Sequence, residues 1–256
     1  MRLYIYKHLN LLREIAIFQF KLKDQSSFFG FLWSFLNPLI MLTILFFFFR
    51  LNIGQEIKHY SVYLLIGLVH YTHFSNSTYS SMHVLVSMRQ LTSNTIFPKE
   101  LLVIGTVLSG LIELILSIFI CILIAYFTGI TLSWPVAFLP FVFILQVMLV
   151  LWISLILSCL YVFIRDINHI YNVFLRLLFF ITPIFYDVSS LQIGIAKYIV
   201  FLNPLTYFIN FSRALMIEAK PFSFKLFLLL TIINASLVYL SFRIFKKFET
   251  KIIEYV

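Results

Sequence analysis

Apolar residues fall along this chain in six long runs separated by short polar stretches, at about 28–49, 60–86, 101–128, 136–164, 167–186 and 224–243. The first run carries 22 residues without a charge from Phe28 onward. At 1.5 Å per residue that is roughly 33 Å of helix, against a hydrocarbon core of about 30 Å. Each run predicts a transmembrane helix. Ahead of them, Ile5, Leu9, Leu12, Ala16 and Phe20 share one helical face, and Lys7, Asn10, Glu14 and Lys21 share another. Residues 1–24 therefore predict an amphipathic helix lying on the membrane surface. Residues 88–100 form the longest polar insert on the side of the N-terminus. Pro98 is placed there to start the next helix, with Glu100 in its first turn. Between the fifth and sixth runs, two short apolar pieces, 193–202 and 205–217, are split by Asn203 and Pro204. Neither is long enough to span, so residues 187–223 predict a helical hairpin that dips into the membrane and returns. The fold expected is all-α and integral to the membrane. It is a single domain over 1–256, with six transmembrane helices, an N-terminal interface helix and an outer re-entrant hairpin.

Composition agrees with this class and excludes others. The chain is 62% hydrophobic and 11% charged, with a mean hydropathy of +1.01. Soluble domains average about 25% charged residues. The net charge of +9 is scattered between apolar runs. That distribution fits a positive rim against anionic lipid and not a nucleic-acid surface. Twelve Lys and Arg residues fall on the side shared by both termini, and six fall on the other. The positive-inside rule then puts both termini in the cytoplasm, residues 88–100 inside and 187–223 outside. Cys121 and Cys159 lie inside apolar runs and imply neither a disulfide nor a metal site. The first 24 residues lack the uninterrupted apolar core of a secretory signal.

Polar residues inside the spans are the candidate chemistry. Gly30, Trp33 and Asn37 share a face of the first span, and Pro38 interrupts its backbone ladder. The second span is the most polar: His70, His73, Ser77 and Ser80 form a stripe, with Asn76 and His83 beside it. Such a stripe faces a helix partner or a water-filled path. Metal binding by His70 and His73 finds no acidic or Cys ligand at suitable spacing. Glu113 in the third span and Arg176 in the fifth lie at similar depths, roughly 20 and 16 Å from their polar ends. They are expected to pair or to share one polar cavity, the alternative being that Arg176 snorkels. H-E-x-x-H and G-x-S-x-G do not occur. Gly105 and Gly110 have the glycine spacing of a phosphate loop, but Leu111 and Ile112 replace its Lys and Ser/Thr. Nucleotide-driven work by this chain therefore needs a second polypeptide. The aromatic residues, 31 Phe, 14 Tyr and 3 Trp, offer faces on which sugar rings stack.

Several stretches taken together resemble one family. They are Leu12-Arg13-Glu14; Phe29-Gly30-Phe31-Leu32-Trp33 and Asn37-Pro38-Leu39; Gly67 with Phe74-Ser75-Asn76-Ser77; Phe97-Pro98-Lys99-Glu100; Phe163-Ile164-Arg165-Asp166-Ile167; Phe179-Phe180-Ile181-Thr182-Pro183-Ile184-Phe185-Tyr186; and Asn203-Pro204-Leu205. In order and spacing they are similar to the membrane subunits of ABC-2 type transporters, in the branch exporting bacterial polysaccharides. The chain departs from that pattern at Gln19-Phe20-Lys21, where Arg-Tyr is usual, and at His70-Tyr71, where an aromatic such as Trp is usual. The resemblance implies a homodimer bound to a separate cytoplasmic ATPase, which holds the ATP and Mg. This chain itself is then a transport subunit without cofactor, in the bacterial inner membrane. It implies that residues 88–100 dock into the ATPase through Thr92, Asn94, Phe97, Pro98, Lys99 and Glu100, with Arg13 of the surface helix beside them. The implied substrate is a polyprenyl-diphosphate-linked glycan such as O-antigen, with teichoic acid and capsule as relatives. Its path would follow the first and fifth spans, past Trp33, Asn37, His73, Asn76 and Tyr186. An ABC-2 drug or lipid exporter and an intramembrane enzyme are the rival readings.

Overall fold

A backbone surrounded by lipid has to satisfy its own N–H and C=O groups, and helices do this within one segment. The computed structural model describes residues 2–22, 32–50, 57–94, 97–188 and 194–255, and their regular structure is entirely helical. The helices are α1 (Arg2–Leu22), α2 (Trp33–Phe49), α3 (Tyr60–Ser87), α4 (Arg89–Asn94), α5 (Glu100–Phe127) and α6 (Leu139–Phe163). They continue with α7 (Ile167–Ile181), α8 (Ile195–Leu202), α9 (Pro204–Met216) and α10 (Phe224–Tyr255). A 3-10 turn, Trp134–Phe138, leads into α6. The end of the expected interface helix at 23–24, the start of the first run at 28–31 with Gly30, and positions 95–96 and 189–193 lie outside the described residues.

Among the described residues, three stretches are long and apolar enough to cross a bilayer: Glu100–Phe127, Trp134–Phe163 and Phe224–Tyr255. Helix α3 equals α5 in length, at 28 residues each, but its polar stripe dilutes its hydropathy. Its position follows from that stripe. It packs on α2, α5, α6 and α9, and from Val62 to Tyr71 every residue is buried. Large side chains such as Phe47, Phe48, Phe119, Phe180 and Phe224 are instead exposed on the outer helices, as lipid-facing residues are.

Two glycines let the helices meet. A Cβ at Gly105 would collide with Ile15 of α1, and one at Gly110 with Ser77 of α3. The phosphate-loop spacing is thus a packing device, one glycine admitting α1 and the other α3. Replacing Gly105 by Val is expected to lift α1 off α5 and destabilise the chain by about 1–3 kcal/mol, the usual effect of overpacking. The midpoint of thermal unfolding in detergent checks this.

Two ends depart from the expected runs. Helix α7 stops at Ile181, short of Tyr186, because Pro183 forces Thr182 into an extended conformation with ψ 130°. Its 15 residues reach only roughly 22 Å. Asn203 ties this break to the next one. Its Nδ2 donates to Thr182 Oγ1 at 2.8 Å, and its Oδ1 accepts from Leu205 N at 3.0 Å, capping α9. Helix α10 continues past Arg243 to Tyr255, and its last turns pack Phe245 and Ile252 into a second core with Ile15, Leu85, Leu102 and Val162.

Candidate functional site

A polar seam lies between α2, α3 and α5. Trp33, Asn37 and Pro38 come from α2, Val69, Thr72, His73 and Asn76 from α3, and Glu113, Leu114 and Ser117 from α5. The cavity they enclose is about 90 Å³. An adjoining cavity of about 140 Å³ is lined by Gln19, Asn76, Ser77, Ser80, Thr106, Ser109, Gly110 and Glu113. Asn76 and Glu113 belong to both, so the seam is continuous from α1 to the start of α2. Four of the five residues expected along a substrate path, Trp33, Asn37, His73 and Asn76, converge here with Glu113. The seam offers amide, hydroxyl and carboxylate groups beside an indole face, a set that suits hydroxyl-rich ligands. No group of three His, Cys, Asp or Glu arranged to hold a metal occurs among the described residues.

The fifth residue, Tyr186, lies elsewhere. Its hydroxyl donates to Ile181 O at 2.7 Å, and its carbonyl accepts from Tyr63 at 2.9 Å, in the irregular stretch after α7. The single chain does not bring Glu113 and Arg176 together. Helix α7 packs on α6, and Arg176 is exposed on it and lines neither cavity.

The histidine stripe acquires partners from elements that sequence reasoning left out. His70 Nδ1 donates to Gln146 Oε1, and Ser212 Oγ donates to His70 Nε2 at 2.7 Å. Gln146 Nε2 donates to His70 O and to His73 Nδ1, each at 2.9 Å. Gln146 therefore uses both amide hydrogens and its oxygen to join α6 to two turns of α3. Accepting at Nδ1 leaves the His73 proton on Nε2, the nitrogen nearer Gly110. A lone Gln inside the fourth apolar run was the available signal. Arg213 was also missed: counted as an outer surface charge, it is only 4% exposed.

At the other end of α3, the residues expected to dock an ATPase are mostly turned inward. Thr92 is fully buried and closes the α3–α4 turn by donating to Leu85 O at 2.8 Å. Lys99 is 2% exposed; its Nζ lies 4.6 Å from the Phe97 ring centre and donates to Leu91 O at 3.4 Å. Its backbone N donates to Glu249 Oε1 at 3.1 Å. Glu100 meets Lys246 of α10 at 2.6 Å, and Lys246 also reaches Glu249 at 3.3 Å. Burial pulls the Lys99 ammonium below the usual lysine range, against the charge of Glu249. Burial also lowers that of Lys246, but the hydrogen bond and charge of Glu100, helped by Glu249, more than offset this and raise it. Phe97 and Pro98 are half-buried, and the Asn94 side chain lies outside the described residues. The exposed face of this end is carried by Arg89, Gln90 and Leu91 of α4, with Arg13 exposed on α1. The insert is thus clasped by the end of α10.

A bundle of apolar helices with a polar seam at its centre and a short clasped helix at one end is the architecture of a membrane transport subunit. A model of the family described as "ABC-2 type transporter" matches residues 11–217, and the chain belongs to that family. It is similar to the O-antigen export system permease protein RfbA of Myxococcus xanthus, 28% identical over 217 residues, which are 84% of each chain. Two Klebsiella pneumoniae proteins of the same name are each 30% identical. One alignment covers 198 residues, 77% of this chain and 76% of the relative, and the other 211 residues, 82% and 81%.

Proposed function

We propose that this chain is the membrane-spanning subunit of an ATP-driven exporter that moves a polyprenyl-diphosphate-linked polysaccharide, O-antigen in the first place, across the bacterial inner membrane. The observation that carries the reading is its similarity, over about four-fifths of its length, to O-antigen export permeases. The seam around Trp33, Asn37, His73, Asn76 and Glu113 supplies a route suited to sugars. In this reading α2, α3, α5, α6, α7 and α10 are the six spans, α1 lies at the interface, and both termini are cytoplasmic. Helices α8 and α9 form the outer re-entrant hairpin. Two copies of the chain assemble with two copies of a separate ATPase, which binds ATP and Mg. Closure of that ATPase pushes on α4 and α1, and the clasp on Glu100 transmits the push to α5 and α10. The chain itself performs no chemistry.

The test is co-purification after co-expression with the ABC ATPase of the same source organism. The chain is expected to hold the ATPase through detergent extraction, and a strain lacking the chain is expected to lose surface glycan. An ATPase that never associates with the chain, alongside normal surface glycan in that strain, contradicts the proposal.

A further inference from the structure

At the end of α3 away from the Glu100–Lys246 pair lies a cleft of about 840 Å³. Lys58 and His59 line it from the start of α3, Asp187 from the stretch after α7, Arg213 from α9, and Glu218 and Lys220 from the loop beyond. Arg213 is the unusual member. Its guanidinium lies 3.3 Å from the ring centre of Tyr63. Nε and Nη2 donate to Tyr63 O at 3.3 and 3.1 Å, and Nη2 donates also to Ile184 O at 2.8 Å. Gly67 makes the room, since a Cβ there would come within 3.1 Å of Nη2. These bonds fix the plane of the fork and offset part of the cost of burying its charge, but they put no anion in contact with it. Nη1 has no partner, and no carboxylate comes within 4 Å of Arg213 among the described residues. A buried cation with an unmet donor calls for an anion or ordered water.

The surroundings favour an anion. Lys58 and Lys220 are exposed at the rim, and Lys220 is held only loosely, at 3.9 Å, by Glu218. The three cations Lys58, Arg213 and Lys220 face the two carboxylates Asp187 and Glu218, one positive charge in excess. A fixed guanidinium fork with mobile ammonium groups around it matches a multiply charged, oxygen-rich anion better than a single carboxylate. The volume exceeds what a bare ion needs. From this geometry we infer that the cleft binds a phosphate-type anion, a phosphodiester or a diphosphate, with Arg213 as its fixed contact and Lys58 and Lys220 as its rim. Two sources present that chemistry: a phospholipid headgroup, and the diphosphate of a lipid-linked glycan. The second deepens the export reading and rests on it, while the site itself rests on Arg213.

The experiment uses the full-length chain alone in phosphatidylcholine nanodiscs, titrated calorimetrically with inorganic pyrophosphate. Saturable binding is expected. The double variant Lys58→Gln/Lys220→Gln leaves the buried contacts intact and is expected to weaken binding about five-fold. Asp187→Asn removes a competing negative charge and is expected to tighten it about three-fold. Repeating the titration in phosphatidylglycerol nanodiscs separates the sources. Loss of pyrophosphate binding there identifies the phospholipid headgroup as occupant, and retention identifies the carrier diphosphate. No saturable binding by the unmodified chain, or an affinity indifferent to both variants, overturns the inference. Neither result touches ATPase association or surface glycan, so a failure here is distinguishable from failure of the export reading.

Discussion

Gly110→Leu is expected to abolish export while the chain still reaches the membrane and still holds its ATPase. Gly110 lines the seam beside Ser77 and Glu113, and even a Cβ there would collide with Ser77 Oγ. The three further carbons of leucine have nowhere to go except into a cavity of about 140 Å³. The effect separates into two parts. Overpacking between α3 and α5 destabilises by about 1–3 kcal/mol. Filling the seam blocks the route independently of that penalty. Gly110→Ala is the control: Ser77 can rotate away from a single methyl, so partial export is expected. Surface glycan, measured against the amount of chain in the membrane, checks both. Normal export by Gly110→Leu at normal abundance would remove the seam from the path.

Lys246→Met is expected to uncouple the chain from its ATPase. Glu100 is largely buried, one of its carboxylate oxygens has no partner, and Lys246 holds the other at 2.6 Å. Methionine keeps the packing and removes the cation. The orphaned carboxylate costs about 1–3 kcal/mol or takes up a proton, and the N-terminus of α5 loosens from α10. Because Lys99, at the start of α5, donates to Leu91 O of α4 at 3.4 Å, a loosened joint dissipates displacement that would otherwise reach the spans. ATPase association is expected to persist while glycan-dependent stimulation of hydrolysis falls. Adding Glu100→Gln removes the orphaned charge and is expected to restore stability more than coupling, a non-additivity that a double-mutant cycle reads directly. Full coupling in Lys246→Met would show the clasp to be passive.

How much of this was legible in the sequence depended on the range of the interaction concerned. Hydrophobic run length announced the long helices, because crossing lipid imposes length and composition locally. The stripe from His70 to Ser80 announced a buried helix for the same reason: polar groups exclude a lipid-facing position. Trp33, Asn37, His73 and Asn76 were expected along one path, but Glu113 was expected beside Arg176, and only the fold shows it lining the same cavities. What was not legible was pairing at a distance. Glu100 reads as a helix-start residue, and only the fold shows that Lys246 meets it. Lys99 and Thr92 were expected, on the family resemblance, to dock the ATPase, yet both are buried within the chain. Arg213 reads as an outer charge, and only Tyr63 and Ile184 reveal it as internal. Glu113 and Arg176 share a depth, but depth says nothing about azimuth, and α7 packs on α6 instead of α5.

The central claim is that this chain is a conduit moved by a motor made elsewhere. ATP hydrolysis in proteoliposomes, measured with the purified chain alone and again with the co-purified ATPase, tests it most directly. The account predicts no hydrolysis by the chain alone, and hydrolysis stimulated by lipid-linked glycan once the ATPase is present. Turnover of ATP by the chain alone would contradict it.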